Sequence, residues 1–349
     1  MGPNDQLLDD TISSALLALR FSEGVRRDTV GLFEAMLAKV RSIILGSELD
    51  STWSRGRVES LILLIGNAIE EHYIGMEARL EALLVPFAEG QTVAASRSLQ
   101  KATGQPSQPV PRSAAAALVF DTNVLGGPMT EYIADQSTAA RRAAARTVRL
   151  ATAGNLNAAA VADRVVGTTT GRRMSVTNLL GTREQLAERR GGALDAARNY
   201  MNSLSRSAAM AVQAAARELV FDANRDRIRG LAAVVTLDGR TSKICMSRSG
   251  GAWNPTTGKP LAWSTVRTPF PGYPPWHLNC RTTLTPVIAG DPPQQLTYPE
   301  WLSTRSAAEQ RDILGASRYK MWKEGNLDLH QMLDVSGRPL RLEELQARS

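Results

Sequence analysis

Cys245, His277 and Cys280 are the residues of this chain whose types and spacing could do chemistry together. His277 and Cys280 form an H-x2-C pair whose side chains can reach one metal ion, and Cys245 supplies a third donor from earlier in the chain. A closed structural zinc site normally takes four ligands, and Ser242 occupies the position where a C-x2-C pair would place another thiolate. Four readings of the trio stay open. They are packing of reduced side chains, a zinc site completed by Asp238 or water, a Cys245–Cys280 disulfide, and a cysteine nucleophile with His277 as its base. Paired-carboxylate chemistry is excluded from this part of the chain, because Asp238 is the sole acidic residue between positions 231 and 290. Asp238 opens the run Asp238-Gly-Arg-Thr241, a turn sequence in which the Asp oxygens accept backbone N–H bonds a few residues onward.

The elements that must position these residues follow from periodicity. Leu231 to Leu237 is a β-type run, and the next fifty or so residues, rich in Gly, Pro, Ser, Thr and Trp, read as a compact β and loop unit. Upstream, apolar residues recur at helical spacing from Gln6 to Leu84, with breaks expected near Gly24 and Gly46 and cap oxygens from Asp50, Ser51 and Thr52. His72 falls within the apolar stripe, has no ligand-type neighbours, and is assigned no chemistry. Residues 104–114 read as a proline-containing linker, followed by a short strand at Leu118 to Asp121. Helix resumes from Glu131, breaks at Gly154 and at Gly167 to Gly171, returns from Arg183 to Asn224, and appears once more from Tyr298 to Glu324.

The predicted fold is mainly α: a helical N-terminal region and a helical middle, then a small α+β or β-loop unit carrying the motif, then a C-terminal helix. The expected division is 1–103, a linker at 104–114, a domain at 115–290, and a helical segment at 291–349.

Composition narrows the class. With 43% hydrophobic and 21% charged residues the chain reads as globular, and with two cysteines it is no disulfide scaffold. The apolar stretch Leu61 to Ile65 is far short of the ~20 residues that cross a bilayer, so no membrane span is expected. The acidic first ten residues are unlike a secretory signal, so the protein is expected to start in a cytoplasm. The net charge of +7 is uneven, with thirteen more basic than acidic side chains in residues 101–290. Arg141, Arg142, Arg146 and Arg149 fall within an arc of roughly 140° of one helix. Such a face is either solvated or a contact for DNA or an acidic partner.

The run from Arg206 to Arg217, then Gly230, then TLDGRTSKIC and PPWHLNCRTTLTPV, together resemble the Mu-F-like phage head morphogenesis family over roughly residues 135–290. Tyr298 to Leu302, Ile313 to Tyr319 and Lys323 to Leu327 are similar to the C-terminal WL, LGxxR and EGxL pattern of many members. The resemblance implies a minor component of the virion head, made in the host cytoplasm, acting in head assembly near the portal and, in some members, ejected with the DNA. Carried over, the motif positions are Asp238, Arg240, Thr241, Cys245, His277, Asn279, Cys280 and Arg281, with Ser242 where some members have the first Cys of a CxxC pair. The implied partners are portal and head proteins and packaged DNA, a structural zinc is the one cofactor the motif suggests, and no enzyme activity is expected.

Two rivals are weaker. An effector enzyme, zinc-dependent or of the ADP-ribosyltransferase type found fused to related domains, would carry a Glu-x-Glu pair in the latter case, and the sequence has none. Lys259 is followed by Pro260, so there is no Walker A loop. A DNA-binding regulator would need a recognition helix, and none stands out.

Overall fold

The computed structural model describes residues 2–47, 53–122, 124, 127–168, 191–334 and 338–347. Among these the chain is mainly α-helical, with a small three-stranded antiparallel sheet. Two compact units are distinguished. One comprises Met1–Ser22, Leu84–Gly126 and Arg206–Ser349, and the other Glu23–Leu83 and Gly127–Ser205. The boundaries after positions 22, 83 and 205 fall within long helices, and neither unit coincides with the segments 1–103 and 115–290 suggested by the linker.

Helix α1 spans Pro3–Leu45 and α2 spans Arg55–Thr103. Pro3 suits the first helical position, where its missing N–H has no intrahelical partner to lose. The break expected at Gly24 does not occur: a glycine inside a helix costs about 1 kcal/mol, and the buried stripe of Ala18, Ser22, Val25, Thr29 and Phe33 continues across it. Gly46 does end α1, its N–H bonding to the Ser42 carbonyl at 2.8 Å. The expected caps at Asp50, Ser51 and Thr52 lie outside the described residues. α2 ends where Gly104, at φ +66°, takes the left-handed conformation and returns its N–H to Gln100.

The strand expected at Leu118 to Asp121 is instead the end of helix α3, Arg112–Asp121. The preceding alanines, the best helix formers, set the conformation, and the β-type residues after them simply continue it. α4 (Met129–Ala153) and α5 (Ala158–Val166) end at Gly154 and Gly167, as their sequence predicts. The expected helical start at Arg183 falls outside the described residues, and α6 is described as Asp195–Ala223. His72 packs edge-on against Phe33 with ring centroids 5.4 Å apart. Burial pulls its pKa down to about 4, which keeps the imidazole neutral.

The sheet has β1 (Gly230–Val234) at its centre between β2 (Ala252–Trp253) and β3 (Thr283–Val287). Leu231 pairs with Trp253 on one side and Pro286 on the other. Pro286 is tolerated because β3 is an edge strand with one side free of ladder bonds. Between β1 and β2 lies α7, Lys243–Ser247. Trp253 is fully buried, and its Nε1 donates to the Thr268 carbonyl at 2.9 Å. Around it gather Leu231, Val266, Cys245, Cys280 and Leu284.

The single helix expected from Tyr298 to Glu324 is three: α8 (Tyr298–Ser303), α9 (Ala307–Leu314) and α10 (Ala316–Lys323). Capping boxes at Thr297/Glu300 and Ser306/Glu309 start α8 and α9. Gly315 at φ +77° separates α9 from α10. With α11 (Leu342–Gln346) they build a second core from Tyr298, Leu302, Leu314, Met321 and Leu345, which Met246 of α7 joins. No helix of the described residues is long and apolar enough to cross a membrane.

Because Trp253 anchors the sheet and carries its own hydrogen bond, Trp253→Ala is expected to cost about 3–5 kcal/mol. Urea unfolding should show a lowered midpoint.

Candidate metal centre

The motif begins where β1 runs out. Thr241 donates its hydroxyl back to the Thr236 carbonyl, and the Asp238 Oδ1 accepts the Arg240 N–H at 2.9 Å. Asp238 thus closes its own turn. Its two oxygens also receive a fork from Arg281, Oδ2 from Nη1 at 2.6 Å and Oδ1 from Nη2 at 2.7 Å. This joins the end of β1 to the approach to β3, and it spends Asp238: the carboxylate is bound to a guanidinium and is no part of the Cys/His cluster. Tyr298 adds a further tie, donating its hydroxyl to the Asp238 carbonyl at 2.8 Å.

α7 follows at once. Ser242 caps it, accepting the Cys245 N–H at 3.2 Å, and places Cys245 in the core. The other half of the cluster comes from the loop before β3. Trp276 lies against the Arg248 guanidinium, 4.6 Å from its carbon to the ring centroid, and bonds to the Gly272 carbonyl at 3.0 Å. Asn279 takes a positive φ of 60° and donates its N–H to the Ser207 hydroxyl at 2.9 Å. Cys280 N–H returns to the His277 carbonyl at 3.1 Å, and this tight turn brings the H-x2-C pair to one side.

There Cys245, His277 and Cys280 converge, with candidate ligand atoms all within 4.8 Å of one another. The two Sγ atoms are 3.7 Å apart, both thiols are free, and both are buried. A disulfide would hold them at about 2.05 Å. His277 Nε2 lies 3.1 Å from Cys245 Sγ and 2.7 Å from Ser242 Oγ. Its other nitrogen, Nδ1, faces the Leu278 carbonyl at 2.8 Å. A carbonyl only accepts, so Nδ1 carries a proton, and in the neutral ring Nε2 turns its lone pair to the cluster.

The Cys245–Cys280 hydrogen bond raises the first thiol, helped by burial, and lowers the second. Burial pushes His277 down, but the Cys280 sulfur overrides it and leaves the ring above its usual value. Beside Ser242, Cys245 and His277 is a cavity of about 20 Å³, bordered also by Thr241, Asn279 and Arg281. That holds one water molecule, far below the ~300 Å³ or more of a small-molecule pocket.

The four arginines of α4 divide. Arg141 pairs with Glu70 at 3.1 Å and Arg149 with Glu59 at 3.0 Å, both carboxylates on α2. Arg142 and Arg146 are exposed. Sequence reasoning missed Ser242 and Tyr298 as parts of the site. A C-x2-C spacing with serine first was the available signal for Ser242, whereas nothing local marks Tyr298.

No protein-family model, curated protein or solved structure matches the chain.

The Arg281 fork holds the Asp238 carboxyl below its ordinary value of 3.8. The stability it contributes is therefore complete above that value and is lost as pH falls through the lower folded-state value. A double-mutant cycle of Asp238→Asn and Arg281→Lys should give a coupling of about 1 kcal/mol for this half-exposed pair. That coupling should be flat from pH 5 to 7 and fade in stronger acid.

Proposed function

We propose that the protein is a minor structural component of a tailed-phage head, acting in head assembly near the portal and touching DNA or an acidic partner through α4. The observation that carries this reading is the joining of the motif's two halves. Asp238 and Arg281, 43 residues apart, meet in one fork, and Arg281 borders one small cavity together with Arg240, Thr241, Cys245, His277 and Asn279. These are the positions on which the resemblance to the Mu-F-like family rests. An architectural role, without catalytic turnover, is supported by the 20 Å³ cavity at the cluster, which has no room for a substrate. The charge excess of the middle of the chain supports a polyanionic contact, and the exposure of Arg142 and Arg146 gives it a place.

Expressed with the other head genes of its phage, the protein should co-purify with the portal and be present in finished particles. Its absence from both would sink the structural role. Purified protein should bind duplex DNA weakly and salt-dependently. Arg142→Ala with Arg146→Ala should reduce the slope of log affinity against log salt by about 2. A slope unmoved by the pair would leave the portal as the sole partner of the reading.

The Cys245, His277 and Cys280 trio is assigned to one structural zinc ion, which would pin the loop before β3 to α7. The fit rests on buried sulfurs at ligand spacing and a histidine whose Nδ1 is engaged by the Leu278 carbonyl, so that Nε2 is the nitrogen facing the cluster. Protein purified without chelator should carry one zinc per chain and two unreactive thiols. Cys280→Ala should lose the metal and lower the melting temperature. Two freely titrating thiols with no zinc would reduce the trio to packing.

A further inference from the structure

Ser242 stands within the cluster that the three-donor pattern leaves one ligand short. It lies three residues before Cys245, the spacing of a C-x2-C pair with oxygen in place of the first sulfur. As the cap of α7 its Oγ is fixed by the Cys245 N–H at 3.2 Å, and the same oxygen lies 2.7 Å from His277 Nε2. The small cavity opens against Ser242, Cys245 and His277 together. Asp238, the other oxygen donor considered for the fourth position, has both carboxylate oxygens on Arg281.

We propose that Ser242 Oγ is the fourth donor to a zinc ion bound by Cys245, His277 Nε2 and Cys280. The proposal rests on the zinc reading of the trio. The sulfurs, 3.7 Å apart, match the separation of about 3.8 Å spanned by two Zn–S bonds at the tetrahedral angle. The imidazole stands 3.1 Å from Cys245 Sγ and 2.7 Å from Ser242 Oγ. The first distance is about 0.5 Å and the second about 0.6–0.7 Å shorter than the matching edge of that tetrahedron, so coordination draws the ring back. Two thiolates, a neutral imidazole and a neutral hydroxyl bring a divalent zinc to zero net charge. That suits sulfurs buried in an apolar core, where an unbalanced charge is costly. A hydroxyl is a poorer zinc donor than a thiolate, so the site is built to bind less tightly than a closed three-cysteine, one-histidine centre.

The test uses the full chain as wild type, Ser242→Ala, Ser242→Thr and Ser242→Cys, titrated with cobalt(II) and with zinc in competition against a chromophoric chelator. Wild type should show a tetrahedral cobalt spectrum with the charge-transfer band of two thiolates. Ser242→Cys should raise that band by about half, as two sulfurs become three, and bind zinc more tightly. Ser242→Ala should weaken zinc about tenfold, in the range seen when a supporting group is lost. Ser242→Thr keeps both the hydroxyl and the helix cap, so it should stay near wild type, while the gain in the charge-transfer band of Ser242→Cys reads ligation apart from folding. If wild type takes up one metal but alanine and threonine variants bind equally, or the cysteine variant leaves the charge-transfer band unmoved, Ser242 is no ligand and the zinc reading stands without it. If wild type takes up neither metal, the zinc reading fails and this proposal with it.

Discussion

Between Trp253 and Thr283 the chain forms no helix and no strand beyond an isolated bridge from Trp253 to Pro260. A segment of that length, without a regular ladder of backbone bonds, is held by scattered backbone bonds, such as Phe270 N–H to the Gly258 carbonyl at 2.8 Å, and by side chains. Its upstream part is tied to β2 and its approach by Ser264, Thr265 and the Thr268 carbonyl, and its downstream end by the Arg281 fork on Asp238, the Trp276 ring against Arg248, and the convergence of His277 and Cys280 on Cys245. The geometry of the site depends on this constraint. The polar turn after β1 and the short helix α7 present fixed partners, and the loop is shaped by reaching them.

That dependence explains the character of the motif. Aspartate and arginine make a two-point contact that sets orientation as well as distance, which a lysine could not do. Asn279 supplies a left-handed residue with a side chain, so the chain reverses between His277 and Cys280. The glycine and proline richness of the loop is the cost of threading it around Trp253, whose burial keeps the sheet and the loop in one core.

Much of this was legible in the sequence, and what was not has physical causes. The mainly helical fold with a small β unit followed from periodicity, because long stripes of buried residues announce themselves. Gly24 was misread because a local helix breaker was weighed without the packing that overrides it, and Leu118 to Asp121 because β-type residues were weighed without the alanines before them. The divisions within 298–324 were readable in principle: Ser306 and Glu309 stand at capping-box spacing, and Gly315 follows the next turn. At the site, Cys245, His277 and Cys280 were recognisable by type, but the pairing of Asp238 with Arg281 requires the register of β1 on β3, which no local pattern encodes. Ser242 was seen as a missing sulfur rather than as an oxygen in place.

Cys245 and Met246 are neighbours on the same short helix, yet the first belongs to the core around Trp253 and the second to the core of the C-terminal helices. α7 is therefore a wall shared by two rooms. With only five residues it is held in place by this packing on both sides rather than by its own bonds. The thiol cluster and the C-terminal helices therefore lean on one common support.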